Sequence, residues 1–235
     1  MSKPVAELSF SLENALVKVR EHLSRIESEQ HVFVCGLARS GTTVLLREIY
    51  HSGTFASLTY RNMPFPLAPS IWKGFSKYSR HQSHPGERAH GDSLQHSYDS
   101  PEALDEVFWR VFEGDEYIRE NRLMPHQCDP EPSQKFIELV AHILISQSQK
   151  RYLSKNNNNL LRLSTISKVF PKACIMIPFR HPLQHAHSLH QQHLRFKGLQ
   201  KQNPFILDYM RWLGHYEFGL DHRPFSFQKS VSSSY

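Results

Sequence analysis

The sequence predicts an α/β fold in which helices flank a mostly parallel central sheet in three layers. Short apolar, strand-like runs alternate with helix-compatible segments along the chain, which is the order that a parallel sheet requires. One of these runs passes directly into a glycine-rich loop and then into a helix. Ligands of such sheets bind beyond the carboxyl ends of the strands. Gly36, Lys155 and Arg180 each follow a predicted strand, so we expect them to meet at one edge of the sheet.

The length of the chain fits one domain. Its 235 residues are enough for a single α/β domain with a substantial core. We expect an N-terminal amphipathic helix over about 5–29, the core over about 31–196, and an aromatic and serine-rich tail over about 205–235.

The composition excludes several classes of protein. The formal net charge is +6, but Lys and Arg are spread along the chain without the dense block typical of nucleic-acid-binding proteins. No run approaches the roughly 18 apolar residues of a membrane span, and the N-terminus does not have the pattern of a signal peptide. Cys35, Cys128 and Cys174 are too few and too scattered for a disulfide framework. We therefore expect a cytoplasmic protein that neither binds nucleic acid nor inserts stably into a membrane.

The period of the apolar residues predicts the elements in chain order. In the N-terminal helix, Val5, Leu8 and Leu12 belong to the predicted apolar face. Apolar runs predict strands at 32–35, 54–58, 152–154 and 173–179, with the last one strongly buried and Cys35 and Cys174 behaving as small apolar side chains. Helical patterns occupy 42–50, 134–150, 160–170 and 182–196, and another helix is predicted to start at Ser100-Pro101-Glu102. Residues 61–98 have no steady apolar period. A connection of this length in a compact domain usually has a function, so we predict a lid or substrate loop.

The loop at 36–43 has the pattern of a phosphate-binding loop. Its sequence, GLARSGTT, matches G-x-x-x-x-G-x-[ST] between a strand and a helix, so backbone N–H groups and the helix N-terminus should face an anion. Thr42 occupies the position of the usual lysine, and Arg39 supplies a positive charge from within the loop. A glycine-rich turn without a ligand is the alternative. The strand, loop and helix together are those of a P-loop-like phosphate cradle.

A second group of polar residues follows the last predicted strand. Arg180 ends that strand, where a buried charge needs a partner or a ligand. Ser188 comes about two helical turns later, so its hydroxyl can converge with the guanidinium. Such a pair would suit a second phosphate group.

Three pieces of sequence, in this order, resemble the PAPS-dependent sulfotransferases, where PAPS is 3′-phosphoadenosine 5′-phosphosulfate. They are the loop RSGTT after a strand, the segment SKNNNNLLRLSTISKVFPKACIMIPFRHP, and the serine eight residues past its arginine. The resemblance covers residues 31 to about 196. It implies transfer of a sulfonate group from PAPS to a hydroxyl or amine, with adenosine 3′,5′-bisphosphate as product and with no metal required.

The resemblance also implies roles for individual residues. The 5′-phosphosulfate would be held by Arg39, Ser40, Gly41, Thr42 and Thr43. The 3′-phosphate would be held by Arg180 and Ser188, and Lys155 would approach the transferred group. Donors and cations at the departing phosphate oxygen stabilise the charge that builds there. Arg39 and Lys155 can thus replace the missing lysine, because no γ-phosphate has to be handled.

The general base is expected in the segment 87–92. In the resembling enzymes it is a Glu or His after the second strand. His90 is favoured here because its ordinary pKa suits neutral pH, and Glu87 and Asp92 are close alternatives. A solvated loop histidine with no catalytic role is equally compatible with the sequence.

Other functions remain open on the sequence alone. A P-loop nucleotide kinase or NTP-binding protein would need the missing lysine and an acidic metal ligand. A catalytically degenerate phosphonucleotide-binding module would keep the cradle without turnover. The histidine-rich helix 181–193 has no Cys, Asp or Glu nearby to complete a metal site, so we predict none there. The acceptor can be a carbohydrate, lipid, peptide or small molecule.

The C-terminal region departs from the pattern of the resembling enzymes. They commonly continue into a basic, glycine-containing segment that completes the nucleotide pocket, and no convincing one follows Ser188. We therefore expect an incomplete C-terminal region with exposed aromatic side chains near Trp212.

Overall fold

A computed structural model describes residues 2–19, 23–76 and 99–227, together with the backbone of 86–87 and 95–96. The helices are α1 (Lys3–Leu16), α2 (Leu23–Glu27), α3 (Thr42–His51), α4 (Pro69–Ser76), α5 (Glu106–Tyr117), α6 (Pro130–Gln147), α7 (Leu163–Val169), α8 (Pro182–Gln202) and α9 (Pro204–Trp212). The strands are β1 (Val32–Val34), β2 (Phe55–Ala56), β3 (Gly86–Glu87), β4 (Gln95–His96), β5 (Arg151–Lys155) and β6 (Cys174–Met176).

The central sheet confirms the predicted α/β class. Its order is β2-β5-β1-β6, and all of its strand pairs are parallel. Val34, the last residue of β1, pairs with Lys155 on one side and with Met176 on the other. The carboxyl ends of three strands therefore lie level at one edge of the sheet. β3 and β4 form a separate antiparallel pair.

Alternation along β1 divides the core into two layers. Phe33 packs in the larger cluster with residues of α5 and α6, whereas Val32 and Val34 pack with Leu46 of α3. Each face of the strand is thus covered by helices, which explains why the run is apolar on both faces. The strand is short, but it is fully enclosed.

The N-terminal region differs from its prediction in two ways. The helix ends at Leu16, where Val17 takes an extended backbone, and α2 is a separate element. The predicted apolar face is largely in solvent, and the exposed fraction of Leu8 is 60%. Phe10 and Glu13 are buried instead.

Two specific contacts decide that orientation of α1. Phe10 packs edge-to-face on Phe108 and Phe112, at ring-centroid distances of 6.1 and 5.4 Å. The Glu13 carboxylate accepts hydrogen bonds from the backbone N–H groups of Ser70 (2.7 Å) and Ile71 (3.0 Å), in the first turn of α4. The packing of Phe10 and the hydrogen bonds of Glu13 to α4 therefore determine which side of α1 is buried, and the side with Leu8 and Leu12 faces solvent.

The segment between β2 and α5 also needs correction. Part of the predicted loop at 61–98 is helical, because α4 lies within it; most of 77–98 lies outside the described residues. The helix predicted from Ser100 begins only at Glu106. Residues 100–102 are bridged to 58–60 instead, with the Glu102 N–H donating to the Leu58 carbonyl at 2.9 Å and the Tyr60 N–H donating to the Ser100 carbonyl at 3.1 Å.

The last strand is less buried than predicted. β6 spans only Cys174–Met176. Among the described residues it is an edge strand of the central sheet, and Cys174 is exposed. The chain beyond it is also in solvent, and the exposed fraction of Phe179 is 90%. An apolar run therefore indicated the strand correctly but not its burial.

The region after α8 is packed rather than tail-like. It forms α9, and Leu213, Tyr216 and Phe218 are then buried. Trp212 is half-buried against the larger cluster, whereas the exposed fraction of Phe205 is 69%. The expected exposure of aromatic side chains near Trp212 is thus found for Phe205, whereas Tyr216 and Phe218 are buried and Trp212 is half-buried. Among the described residues, no helix is long and apolar enough to cross a membrane.

Candidate active site

The loop between β1 and α3 is a tight turn. Gly41 precedes α3 in a left-handed conformation (φ 99°), and Arg39 adopts one as well (φ 68°), which is uncommon for a residue other than glycine. A Cβ on Gly36 would lie 3.0 Å from Thr42 Cγ2 and 3.1 Å from Ser40 Oγ, so glycine allows the loop to close on itself. The Ser40 hydroxyl donates to the Leu37 carbonyl at 2.7 Å, which fixes the turn. The amides of the first turn of α3 then point out of the loop.

Helix α8 holds this loop from the other side. The Arg39 Nε–H donates to Ser188 Oγ at 3.1 Å, and His185 Nε2 lies 2.8 Å from the Ala38 carbonyl. Two residues predicted for different phosphates, Arg39 and Ser188, are therefore in direct contact. His185, one of the helix histidines, binds the loop backbone.

Lys155 is positioned at the carboxyl end of β5 beside this loop. It pairs with Val34 in the sheet, and its exposed fraction is only 7%. Its neighbours in the chain are anchored, because the Ser154 hydroxyl donates to Asp105 and the Asn156 amide donates to Glu106 at 2.6 Å. Both carboxylates lie at the start of α5, so that helix fixes the backbone on each side of Lys155.

A buried ion pair supports this anchoring. Arg162 donates to both carboxylate oxygens of Glu106, at 2.7 and 3.1 Å, and the Asn158 amide donates to the same carboxylate at 2.8 Å. Burial would raise the pKa of Glu106, but the Arg162 charge and the hydrogen bonds from Arg162, Tyr117 and Asn156 outweigh it, so the pKa is lowered. The sequence does not predict this network, because nothing in the run of asparagines at 156–159 shows that they are buried.

Arg180 lies differently from its prediction. It is exposed and stands in the chain between β6 and α8 rather than at the end of a buried strand. It nevertheless lines the same cavity as the loop. Because the guanidinium is at a water-accessible rim, a ligand can reach it without crossing the core.

One cavity of about 620 Å³ brings most of the predicted residues together. Its polar lining from the predicted set comprises Arg39, Ser40, Gly41, Thr42, Thr43, Lys155 and Arg180. Its apolar wall comes from Phe196 and from residues of α9 and the segment that follows, including Tyr209, Leu213 and Phe218. The region predicted as a tail therefore forms a wall of the site.

Two groups that can exchange protons also line the cavity. The Glu102 carboxylate accepts a hydrogen bond from the Tyr60 hydroxyl at 2.6 Å. His215 Nδ1 lies 3.4 Å from the Glu217 carboxylate, which in turn accepts from the Asn157 amide at 2.8 Å. Burial alone would raise the pKa of Glu217, but the His215 charge and these hydrogen bonds lower it to about 2. Burial would lower the pKa of His215, but the charge of Glu217 and its hydrogen bond to the ring together outweigh burial, so the pKa is raised.

The sequence does not reveal the place of either group. It predicts Glu102 as a helix-start residue and His215 as part of a tail, whereas the bridge at 58–60 and the packing after α9 bring them to the cavity. The predicted base, His90, and its alternative Asp92 lie outside the described residues, and only the backbone of Glu87 is described.

Comparison with known proteins identifies a family and a fold. A model described as the sulfotransferase family matches residues 31–225. The crystal structure of the sulfotransferase STF1 from Mycobacterium tuberculosis H37Rv matches 91% of this chain, with a TM-score of 0.51 and 15% sequence identity. The matched part is 64% of that protein's chain, so this chain spans less than two thirds of its length. No curated protein matches the sequence significantly.

Proposed function

Because the chain belongs to the sulfotransferase family, we propose that it transfers a sulfuryl group from PAPS to a hydroxyl or amine acceptor. The observation that carries the proposal is the meeting of Arg39, Lys155 and Arg180 in one cavity with the loop and the N-terminus of α3. Three cations and a row of backbone donors suit a ligand with several anionic groups.

The residues of the loop fit the donor molecule. A side chain at position 36 would fill the turn, and the amides at the start of α3 can hold the 5′-phosphosulfate together with Ser40, Thr42 and Thr43. Arg180, at the rim, would hold the 3′-phosphate. Ser188 is outside the cavity lining and would take part through its contact with Arg39. Bound PAPS would supply the sulfuryl group and a phosphate leaving group.

The chain's own residues would then supply electrostatics and a proton acceptor. Arg39 and Lys155 place positive charge on the lining of the cavity, and such preorganised charge is effective because little reorganisation is needed during transfer. The acceptor's proton would go to a nearby base. We retain His90 for that role and add Glu102 as the competing group, since its carboxylate lines the cavity.

The other functions considered are less well supported. In a nucleotide kinase a lysine would contact the terminal phosphates, and here the buried Thr42 takes its place. A degenerate binding module would have the same cavity, so only turnover separates it from an enzyme.

Calorimetric titration and an activity screen test the proposal. We expect adenosine 3′,5′-bisphosphate to bind in the presence of a chelator and Mg²⁺-ATP to bind far more weakly. Labelled PAPS offered with carbohydrate, lipid, peptide and phenolic acceptors should yield a labelled product with at least one class. Preference for Mg²⁺-ATP would contradict the proposed donor, and bisphosphate binding without any turnover would leave only the binding module.

A further inference from the structure

A second group of reactive side chains lies outside the sulfuryl-transfer cavity. Glu113 of α5 meets His126 and Cys128 of the following connection, and their potential ligand atoms all lie within 4.8 Å of one another. None of the three lines the cavity described above. They come from two separate parts of the chain, so the fold and not local sequence brings them together.

Backbone hydrogen bonds fix the two loop residues of this group. The His126 N–H donates to the Leu161 carbonyl at 3.0 Å, and the Cys128 N–H donates to the Thr165 hydroxyl at 3.1 Å. The His126 ring stacks on Tyr117 with a centroid distance of 4.8 Å and an interplanar angle of 16°. The imidazole and the thiol are therefore held in place before any ligand arrives.

The imidazole of His126 is only partly satisfied by the protein. Both of its ring nitrogens are buried, and neither forms a well-aligned hydrogen bond to a described residue, with the Met124 backbone as a weak partner of the ring. A buried polar atom without a partner is costly and calls for a water, an ion or another ligand. An imidazole nitrogen with an available lone pair is a common metal ligand.

We propose that Glu113, His126 and Cys128 bind a divalent transition metal of the Zn²⁺ class. A carboxylate oxygen, an imidazole nitrogen and a thiolate sulfur are the donor types that zinc takes, and three of them leave a fourth position for water. As the sulfur–metal bond forms, the Cys128 thiol gives its proton to the buffer, and no electron is transferred. The carboxylate and thiolate together balance the metal's two charges, so a site that carries one negative charge on Glu113 before binding becomes neutral once the metal is bound and the thiol proton has left.

Such a metal would link α5 to the connection that leads into α6. That connection runs from Ile118 to Asp129 and contains little regular structure. It lies beside the network that anchors Lys155, because Arg162 is a charged neighbour of all three ligands. The role is therefore structural, and it is separate from the metal-free sulfuryl transfer proposed above.

Cobalt(II) spectroscopy of the whole protein tests the site. Co²⁺ replaces Zn²⁺ in such sites and gives a thiolate-to-metal charge-transfer band only when a cysteine is bound. We expect this band to saturate at one equivalent of Co²⁺, to disappear on addition of Zn²⁺, and to be lost in Cys128→Ser. The matched control is Cys174→Ser, because Cys174 is an exposed cysteine elsewhere in the fold, and this variant should keep the band.

The same design separates the site from adventitious binding. The histidines of α8 can take up Co²⁺, but without a thiolate they give no charge-transfer band. A band that persists in Cys128→Ser, or that disappears in Cys174→Ser, would overturn the proposal. Should Cys128→Ser fail to fold, the Cys174→Ser protein decides alone, since absence of a band there at saturating Co²⁺ also overturns it.

Discussion

At the scale of single residues, the proposed role of Lys155 is one that kinetics can isolate. Lys155 is nearly buried, it lines the cavity, and its neighbours in the chain are hydrogen-bonded at the start of α5. If it acts in transfer as proposed, its charge should matter most when negative charge builds on the leaving oxygen.

We therefore expect Lys155→Met to lower kcat by about 10²–10³ while weakening bisphosphate binding much less. Methionine retains the apolar stem, so the fold should be kept. Steady-state kinetics and calorimetry measure the two effects, and Lys168→Met, at an exposed position on α7, is the control. Equal losses in kcat and in bisphosphate affinity would show that Lys155 binds the donor without a specific role in transfer.

Arg180 should contribute to binding more than to chemistry. Its guanidinium stands at the exposed rim of the cavity, where a charged hydrogen bond to phosphate is worth about 1.5–3 kcal/mol. Arg180→Ala should thus weaken bisphosphate binding roughly 10- to 100-fold. Arg195→Ala removes an exposed arginine of α8 outside the cavity lining, so its affinity should match that of the wild type. An unchanged affinity of folded Arg180→Ala would remove this residue from the phosphate site.

The general base can be assigned by comparing two variants. If His90 is the base, His90→Ala should lower kcat by about 10²–10⁴ and Glu102→Gln should not; the reverse holds for Glu102. The pH profile of kcat/KM gives a second readout, because an ordinary histidine titrates near about 6.5 and an ordinary glutamate near about 4.3. Near-normal kcat in both variants would transfer the role to His215, which lines the same cavity.

At the scale of elements, the start of α5 supports the end of β5. The Glu106–Arg162 pair is almost fully buried, and the guanidinium also lies 4.7 Å from the Trp109 ring centroid and 4.9 Å from that of Tyr117. Removal of one partner leaves the other charge buried and unpaired.

Arg162→Ala should consequently lower the free energy of unfolding by about 3–5 kcal/mol. Urea denaturation measures the change. Arg25→Ala is the matched control, because Arg25 forms an exposed i,i+4 pair with Glu29 whose loss should cost less than about 1 kcal/mol. Similar small losses in both variants would mean that the buried pair contributes little to stability.

Elements with a clear local pattern were the predictable ones. The strand at β1, its loop and α3 follow from apolar period and glycine position, and they lie where the sequence predicts them. The orientation of α1 could not be predicted, because it depends on Phe108, Phe112 and the first turn of α4, which are distant in sequence. Glu102 lies at the cavity because a β-bridge pairs Thr59 with Pro101, and no pattern in the sequence predicts that pairing.

At the scale of the whole molecule, the sequence predicts at which edge of the sheet the site lies. It does not predict which residues form the apolar wall of the cavity. The level ends of β1, β5 and β6 follow from the parallel class alone. The wall comes from α9 and the segment up to Phe218, whose aromatic residues looked like an unpacked tail. Whether a segment of mixed polar and aromatic residues is buried depends on the surface it packs against, and that surface is not visible in the sequence.

Stability of the whole fold should also depend on pH through buried neutral histidines. His31 is fully buried, and its Nδ1 accepts the Tyr152 N–H at 3.0 Å while Nε2 faces the Ile26 carbonyl at 2.7 Å. Because Nδ1 is an acceptor, the ring must be neutral. Burial is the main cause that lowers the pKa of His31 from 6.5 to about 4, and burial does the same for His142.

The sign of the effect follows from the order of protonation. As the pH falls from about 6.5 towards about 4, the unfolded chain binds a proton at each of these histidines before the folded protein does. Their contribution to stability is therefore complete above that window and is lost as the pH falls through it. Asp105, whose pKa burial raises to about 6, titrates in the opposite sense over the same window, whereas the raised pKa of His215 moves its contribution to higher pH. The free energy of unfolding of the wild type as a function of pH therefore contains the contributions of all these groups together.

A difference between proteins isolates the histidine. We expect the free energy of unfolding of the wild type to fall more steeply than that of His31→Gln between pH of about 6.5 and 4.5, by nearly one proton in slope. Glutamine can still donate to the Ile26 carbonyl but cannot take up a proton. His187→Gln, at an exposed position on α8, should follow the wild-type slope. Urea titrations at a series of pH values give the three curves, and parallel curves for the wild type and His31→Gln would mean that His31 is protonated in the folded protein as readily as in the unfolded chain.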